Sequence, residues 1–247
     1  MSSIWHEVLY RPLFNVLILI YHYLPDIGVA IIILTIIIRL ILYPSQSKAL
    51  RAAKKMRDLQ PEINKIQEKY KHDKQKQSKA MMEFWQTHRV NPLSSCLGQI
   101  IQIPILIALY QVFSTGLDIS RLTELYSFIP KPTTIDPTLF GLINLAEPNR
   151  YILPVIAGIA QFFQMKIMMP PALPSPASAK KSNLPNTQEM ISKQMIYFMP
   201  VMIVFFAASL PAALPLYWIV ISIIAIIQQV LINRETTQKK VTVRIKK

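Results

Sequence analysis

IIILTIIIRLILYP, residues 31–44, sets one arginine into a run otherwise interrupted only by Thr35. A charged side chain at the centre of a transmembrane helix costs at least ~2.5–3.5 kcal/mol on insertion scales. Arg39 therefore demands a physical reason. Thr35, Arg39 and Tyr43 follow one another at i, i+4 and i+8, so a helix here projects all three from one side.

The rest of the chain sets the solvent. Of 247 residues, 52% are hydrophobic and only 16% charged, where a soluble domain carries about 25% charge. Residues 90–117 hold no charge, and neither do residues 194–233, a stretch of 40. The second is long enough for two spans of about 20 residues each. The composition is that of an all-α, polytopic membrane protein.

Charge placement predicts its orientation. Residues 45–91 hold 12 Lys/Arg against 5 acids, and residues 234–247 hold 6 against 1, whereas residues 116–150 hold 3 against 4. Basic loops stay cytoplasmic, which puts the first two inside and the third outside. The net charge of +14 is largely accounted for in this way. Ribosomal RNA or anionic lipid remain secondary partners for the tail, and no DNA is expected. One cysteine, Cys96, excludes an intramolecular disulfide and a Cys-rich metal site. The first residues lack a basic n-region followed by a cleavage site, so the first apolar span is expected to act as an uncleaved insertion signal.

These signals divide the chain. Residues 1–26 read as an interfacial amphipathic helix, with Trp5, Val8, Leu9, Leu13, Val16, Leu17 and Ile20 on one stripe and Glu7, Arg11 and Asn15 elsewhere on the wheel. A short extra span over residues 12–25 is the alternative, although 14 residues fall short of a bilayer. The first transmembrane helix covers 27–44. Residues 45–92 form a cytoplasmic helical hairpin: Met56, Leu59, Ile63, Ile66 and Tyr70 make a seam at alternating spacings of three and four. His72-Asp73-Lys74 supplies its turn, and Phe84 and Trp85 offer a second apolar face. Residues 93–233 hold spans two to five, with an outer loop at 116–149 and a Pro/Ser/Ala linker at 169–192. Pro104 interrupts the second span, and a tight turn at 209–215 pairs the last two. Residues 234–247 are a basic cytoplasmic tail. Five spans place the amino end outside and the carboxyl end in the cytoplasm.

No Asp or Glu lies within the five expected spans, whereas amides are plentiful: Gln99, Gln102 and Gln111, then Gln161 and Gln164, then Gln228 and Gln229. An intramembrane cation without an acid needs water, amides or carbonyls about it. A hydrated cavity between helices supplies them most cheaply, and a packing arginine satisfied by its neighbours is the alternative. Catalysis is not expected. Ser45-Gln-Ser-Lys48 matches S-x-x-K without the accompanying elements, the four histidines have no ligand spacing, and five glycines make no phosphate-cradling loop. Neither cofactor nor metal is called for.

Several segments together resemble the YidC/Oxa/Alb family of membrane protein insertases, in its short bacterial form. They are RPLFNVLILIYHYL, IIILTIIIRLILYP, KMRDLQPEINKIQEKYKHDKQK, VNPLSSCLGQIIQIPILIALYQVF, RYILPVIAGIAQFFQ, and FMP followed by PLYWIVISIIAIIQQVLI. They occur in family order over nearly the whole chain. The resemblance implies a bacterial plasma-membrane protein whose five-helix core encloses a hydrophilic groove open to cytoplasm and lipid. It implies a groove set of Arg39, Thr35, Tyr43, Gln161, Tyr217 and Trp218. It further implies that the hairpin receives nascent membrane proteins, with the ribosome and the Sec translocon as partners. The periplasmic domain and extra amino-terminal span of Gram-negative relatives are not expected, nor is a lipoprotein cysteine. Two other readings stay open. A small-solute transporter or channel lacks support from internal repeats or midplane ion pairs, and a non-inserting assembly scaffold overlaps with the insertase reading.

Overall fold

In hydrocarbon every backbone N–H and C=O must be satisfied within its own segment, which leaves apolar runs of this length no option but helix. In chain order the computed structural model has α1 (Ser3–Trp5), a π-helical stretch (His6–Tyr10), α2 (Arg11–Tyr23), α3 (Ile27–Asp58), α4 (Gln60–Lys69) and α5 (Lys74–Thr87). Then follow α6 (Leu97–Thr115), a 3-10 turn (Ile119–Glu124), β1 (Thr138–Leu139), β2 (Ile143–Asn144), α7 (Ile152–Met168), α8 (Thr187–Ala208) and α9 (Ala213–Ile245). The structure describes residues 3–91, 97–115, 119–168 and 187–245. Cys96 and positions 169–186 of the expected linker lie outside the described residues. Among the described residues, Ile27–Asp58 and Ala213–Arg234 are long and apolar enough to cross a membrane, and Ile100–Ser114, Ile152–Met168 and Ile196–Ala208 are shorter apolar helices.

The chain falls into two compact units. The first comprises Met1–Ile41 and Ile103–Ile227 and holds the hydrophobic core. Phe14, Leu17 and Ile18 of α2 meet Ile27, Ile31 and Leu34 of α3, Leu109 and Phe113 of α6, and Leu214 and Tyr217 of α9 in one cluster. Leu139 and Leu145, from the segment between α6 and α7, join it. The amino-terminal helix thus contributes to the core, with Leu17 of the expected stripe in the cluster and Leu13, Val16 and Ile20 packed against it, while the most buried side is turned from that stripe. Val8 is exposed, and the buried side is Tyr10, Phe14, Leu17, Ile18 and Tyr21. The π-helical stretch at His6–Tyr10 is the physical reason. Its i→i+5 bonds admit an extra residue, and one residue rotates a helical stripe by about 100°.

Close approach fixes two other contacts. A Cβ at Gly28 would strike the Leu139 side chain, so α3 can begin against β1 only with glycine there. A Cβ at Gly158 would strike Val204 and come within 3.2 Å of the Pro200 carbonyl oxygen. Such small-residue contacts let membrane helices pack where hydrophobicity supplies no drive between them. Pro104 lies inside α6 and Pro200 inside α8, neither ending its helix. Pro44 likewise lies inside α3, which runs on to Asp58.

The second unit comprises Leu42–Gln102 and Gln228–Lys247. Asn233 ties its segments together: its side-chain carbonyl accepts from Gln229 Nε2 (3.0 Å) and Arg57 Nη2 (3.3 Å), and its backbone oxygen from Lys54 Nζ (3.4 Å). In the hairpin, Ile63 of α4 and Phe84 of α5 are buried, and Met56, Leu59, Ile66, Tyr70 and Trp85 are half-buried. Asp73 caps α5 by accepting from the Lys76 amide (3.0 Å). Arg89, at φ 49°, turns the chain away beyond the helix in the left-handed conformation common there. Lys55 Nζ reaches the His88 carbonyl (2.8 Å), joining the end of α5 to α3.

Two expectations follow. Gly158→Ile should lower the thermal stability of the detergent-solubilised protein by about 1–3 kcal/mol, the cost of overpacking a filled contact. The Lys76 N–H, then the Lys76 ammonium, hold the Asp73 carboxyl below its ordinary range. With the folded value depressed, the cap's contribution is present above about pH 4 and lost as pH falls through that value. Amide protection at the start of α5, corrected for the intrinsic pH dependence of exchange, should fall in acid in the wild type and be uniformly lower in Asp73→Ala.

Candidate functional site

The exposed side chains of α3, Ile36, Ile37, Leu40 and Ile41, mark the face it presents outward. Ile31, Leu34, Thr35 and Arg39 lie on the opposite, buried face. Arg39 is therefore turned into the bundle, with only 8% of its surface exposed. Its Nε is fully buried and has no hydrogen-bond partner. Among the described residues no carboxylate forms an ion pair with it. Its electrostatic neighbour is the phenol of Tyr217, and Thr35 spends its own hydroxyl proton on the Ile31 carbonyl (2.6 Å). A buried guanidinium carries five donors in a fixed fork, and leaving such donors unmet is among the costliest arrangements in a fold.

The other sequence-predicted residues divide. Tyr217 is packed in the core cluster, with Trp218 half-buried against it. Gln161 of α7 accepts from Ser222 Oγ of α9 at 3.3 Å, a polar cross-link between apolar helices. Ser222 escaped the sequence reading, although a lone hydroxyl four residues after Trp218 was the available signal. Gln164 is buried and contacts Met168 Sδ at 3.7 Å. Tyr43 is 43% exposed and belongs to the second unit. In that unit Ser47 Oγ, Gln228 Oε1 and Trp85 Nε1 are buried without hydrogen-bond partners.

A second polar constellation, undetected in the sequence, docks the amino-terminal helices. Asn15, 2% exposed, donates to the carbonyls of Arg11 (2.7 Å) and Glu124 (3.2 Å), and its Oδ1 accepts from the Tyr126 amide (2.7 Å). Arg11 Nε donates to the Glu124 carbonyl (3.2 Å), and its guanidinium lies 4.9 Å over the Tyr126 ring. His6 Nε2 meets the Glu124 carboxylate at 3.0 Å. Trp5 Nε1 donates to Gln111 (3.0 Å), and the Asp136 amide donates to the Tyr21 hydroxyl (2.9 Å). Arg11 also holds the Glu7 carboxyl below its ordinary range, chiefly by hydrogen bonding to it.

An apolar helical bundle with small-residue helix contacts and an unpaired cation turned inward defines a polytopic α-helical membrane protein. Comparison with known proteins narrows the class. A family model described as 60Kd inner membrane protein matches residues 19–240. The Membrane protein insertase YidC of Geobacter sulfurreducens is 31% identical over 231 residues, covering 93% of this chain and 38% of the relative. That of Methylorubrum extorquens is 34% identical over 244 residues (95% and 37%), and that of Francisella philomiragia 37% over 216 (86% and 34%). The chain spans less than two-fifths of the length of these relatives. A solved structure, "Active YidC insertase crystal structure with the first transmembrane domain resolved", superposes with a TM-score of 0.58 at 24% identity, over 91% of this chain and 46% of its own, and shares the fold. The chain belongs to the 60Kd inner membrane protein family, that of the YidC/Oxa insertases.

Asn15→Leu should strand the Tyr126 amide and leave the Glu124 carbonyl to Arg11 Nε alone. Each buried group left unpaired costs about 1–3 kcal/mol, so protease susceptibility around residues 119–126 should rise, with little change in the hairpin.

Proposed function

We propose that the chain is a membrane protein insertase that guides nascent membrane proteins into the bilayer along a hydrophilic groove, with Arg39 as its attracting charge. The observation that carries the reading is the Arg39 side chain, buried on the apolar helix α3 and, among the described residues, without an acceptor for Nε. A structural arginine is expected to have its acceptors built in. One that serves a passing ligand lacks that built-in shell and draws its acceptors from water and the ligand when these reach it. Two unit charges 4 Å apart attract by ~1 kcal/mol in bulk water and ~4 kcal/mol at an effective dielectric of about 20. An acidic or polar segment of the client is thus drawn part-way across while its apolar segment partitions into lipid at ~25 cal/mol per Å².

In this reading Thr35, Tyr43, Gln161, Tyr217 and Trp218 flank the path. The hairpin over 45–92, with its seam of Met56, Leu59, Ile63, Ile66 and Tyr70 and the Phe84–Trp85 face, meets the client in the cytoplasm. The basic residues from Arg234 onward contact the ribosome or anionic lipid, and the Sec translocon is a candidate partner. Five spans in the bacterial plasma membrane, amino end outside and carboxyl end cytoplasmic, place every strongly basic segment inside. Binding and release in this scheme need neither catalysis nor a cofactor.

Arg39→Ala should cut insertion of a small membrane protein with an acidic translocated tail several-fold in reconstituted vesicles, and Arg39→Lys should retain most of it. Because Ala removes an uncompensated buried charge, its thermal stability should equal or exceed that of the wild type. Equal insertion by wild type and Ala variant would refute the charge role. Stoichiometric solute flux through the vesicles would point to a channel instead.

A further inference from the structure

The segment between α6 and α7 ends in a hairpin that pairs Thr138 with Asn144 and Leu139 with Ile143. Its tip is Phe140-Gly141-Leu142. Phe140 (φ 52°) and Gly141 (φ 68°) both take left-handed backbone conformations, and the Leu142 amide closes the turn on the Leu139 carbonyl at 3.0 Å. Glycine or asparagine suits that conformation, whereas a bulky side chain there is a steric outlier. Yet the first position is phenylalanine, 68% exposed, and it is followed by a leucine 84% exposed. Residues 137–146 carry no charge.

Direct bonds fix the level of this tip. Asp26 opens α3, its Oδ1 accepting from the Val29 amide (2.9 Å), while its Oδ2 accepts from the Phe140 amide (2.6 Å). The tip is therefore one carboxylate away from the first residues of a membrane-crossing helix. On the other strand, the Leu145 carbonyl accepts from the Ala213 amide (3.1 Å) and the Glu147 carbonyl from the Ala212 amide (2.9 Å), where α9 begins. Both anchors lie at the first residues of helices long and apolar enough to cross a membrane.

We propose that the Phe140-Gly141-Leu142 tip is a membrane-interface anchor, seated among the headgroups and upper acyl chains of the bilayer. Aromatic and aliphatic side chains gain by partitioning at that depth, and the hairpin satisfies its own backbone there. A tip-to-tip contact with a second copy is the competing occupant. Three residues offer far less than the ~1,200 Å² of buried surface that a stable interface needs. The inference rests on membrane residence alone and does not depend on the insertase reading.

The test uses the full chain with Cys96→Ser, carrying Leu142→Cys or Thr133→Cys with a nitroxide label, in phosphatidylethanolamine/phosphatidylglycerol vesicles. At position 142 collision with oxygen should exceed collision with a water-soluble nickel chelate several-fold, and at the exposed Thr133 site the order should reverse. Adding Phe140→Asn, which suits the backbone better and should fold normally, should move the 142 label several-fold toward the chelate. Chelate access at 142 equal to that at 133 would overturn the proposal. So would an unmoved label in the folded Phe140→Asn protein, or a short label-to-label distance that grows more populated with protein density.

Discussion

A guanidinium that is buried and, among the described residues, without a carboxylate partner is the constraint on which any account of this bundle depends. Arginine stays protonated in proteins, so it cannot escape the cost of burial by losing its charge. Its solvation must come from outside its own fold or from polar groups brought to it. The residues on its face of α3 offer little: Ile31 and Leu34 are aliphatic, and the Thr35 hydroxyl is already spent on a backbone carbonyl. Tyr217 is nearby, but a phenol beside a cation offers an oxygen lone pair and not a counter-charge. The arrangement is coherent if hydration is part of the design.

The amino-terminal helices sit under the opposite regime. There the polar groups find partners inside the protein: Asn15 makes three hydrogen bonds, Arg11 combines a hydrogen bond with stacking on Tyr126, and Trp5 and Tyr21 each reach a partner more than 100 residues away. Satisfied polar networks rigidify and specify a unique packing. Together with Phe14, Leu17 and Ile18 they turn what reads as a surface-lying helix into a structural part of the first unit's core.

How much of this was legible in the sequence follows from the range of the interactions. Arg39 in α3, the turn between α4 and α5 that Asp73 caps and the short connection before α9 are local patterns, each readable from adjacent residues. The face of α2 that packs into the core was not legible, because an apolar stripe on a wheel reads the same whether it meets lipid or protein. Asn15 and Glu124 were unreadable for another reason. Their bonds join residues 109 apart, and an asparagine on a helix wheel looks polar whether it faces water or a buried carbonyl. Pro44 marks the end of the expected first span, yet α3 continues through it. Proline is tolerated in membrane helices because neighbouring groups re-satisfy the freed carbonyl.

Set side by side, the two polar regions of the first unit suggest why they differ. Evolution leaves buried polar groups unpaired only where strain or function outweighs the loss. At the amino-terminal helices every long-range polar contact is closed, and closure there costs nothing in function if that region only seals and supports. Under the proposed function, closure at Arg39 would be self-defeating. An aspartate placed beside it would stabilise the fold, yet it would hold the charge in a pair that an incoming carboxylate must first break. On the proposed function, satisfaction and activity compete for the same guanidinium, and its buried Nε is without an acceptor among the described residues.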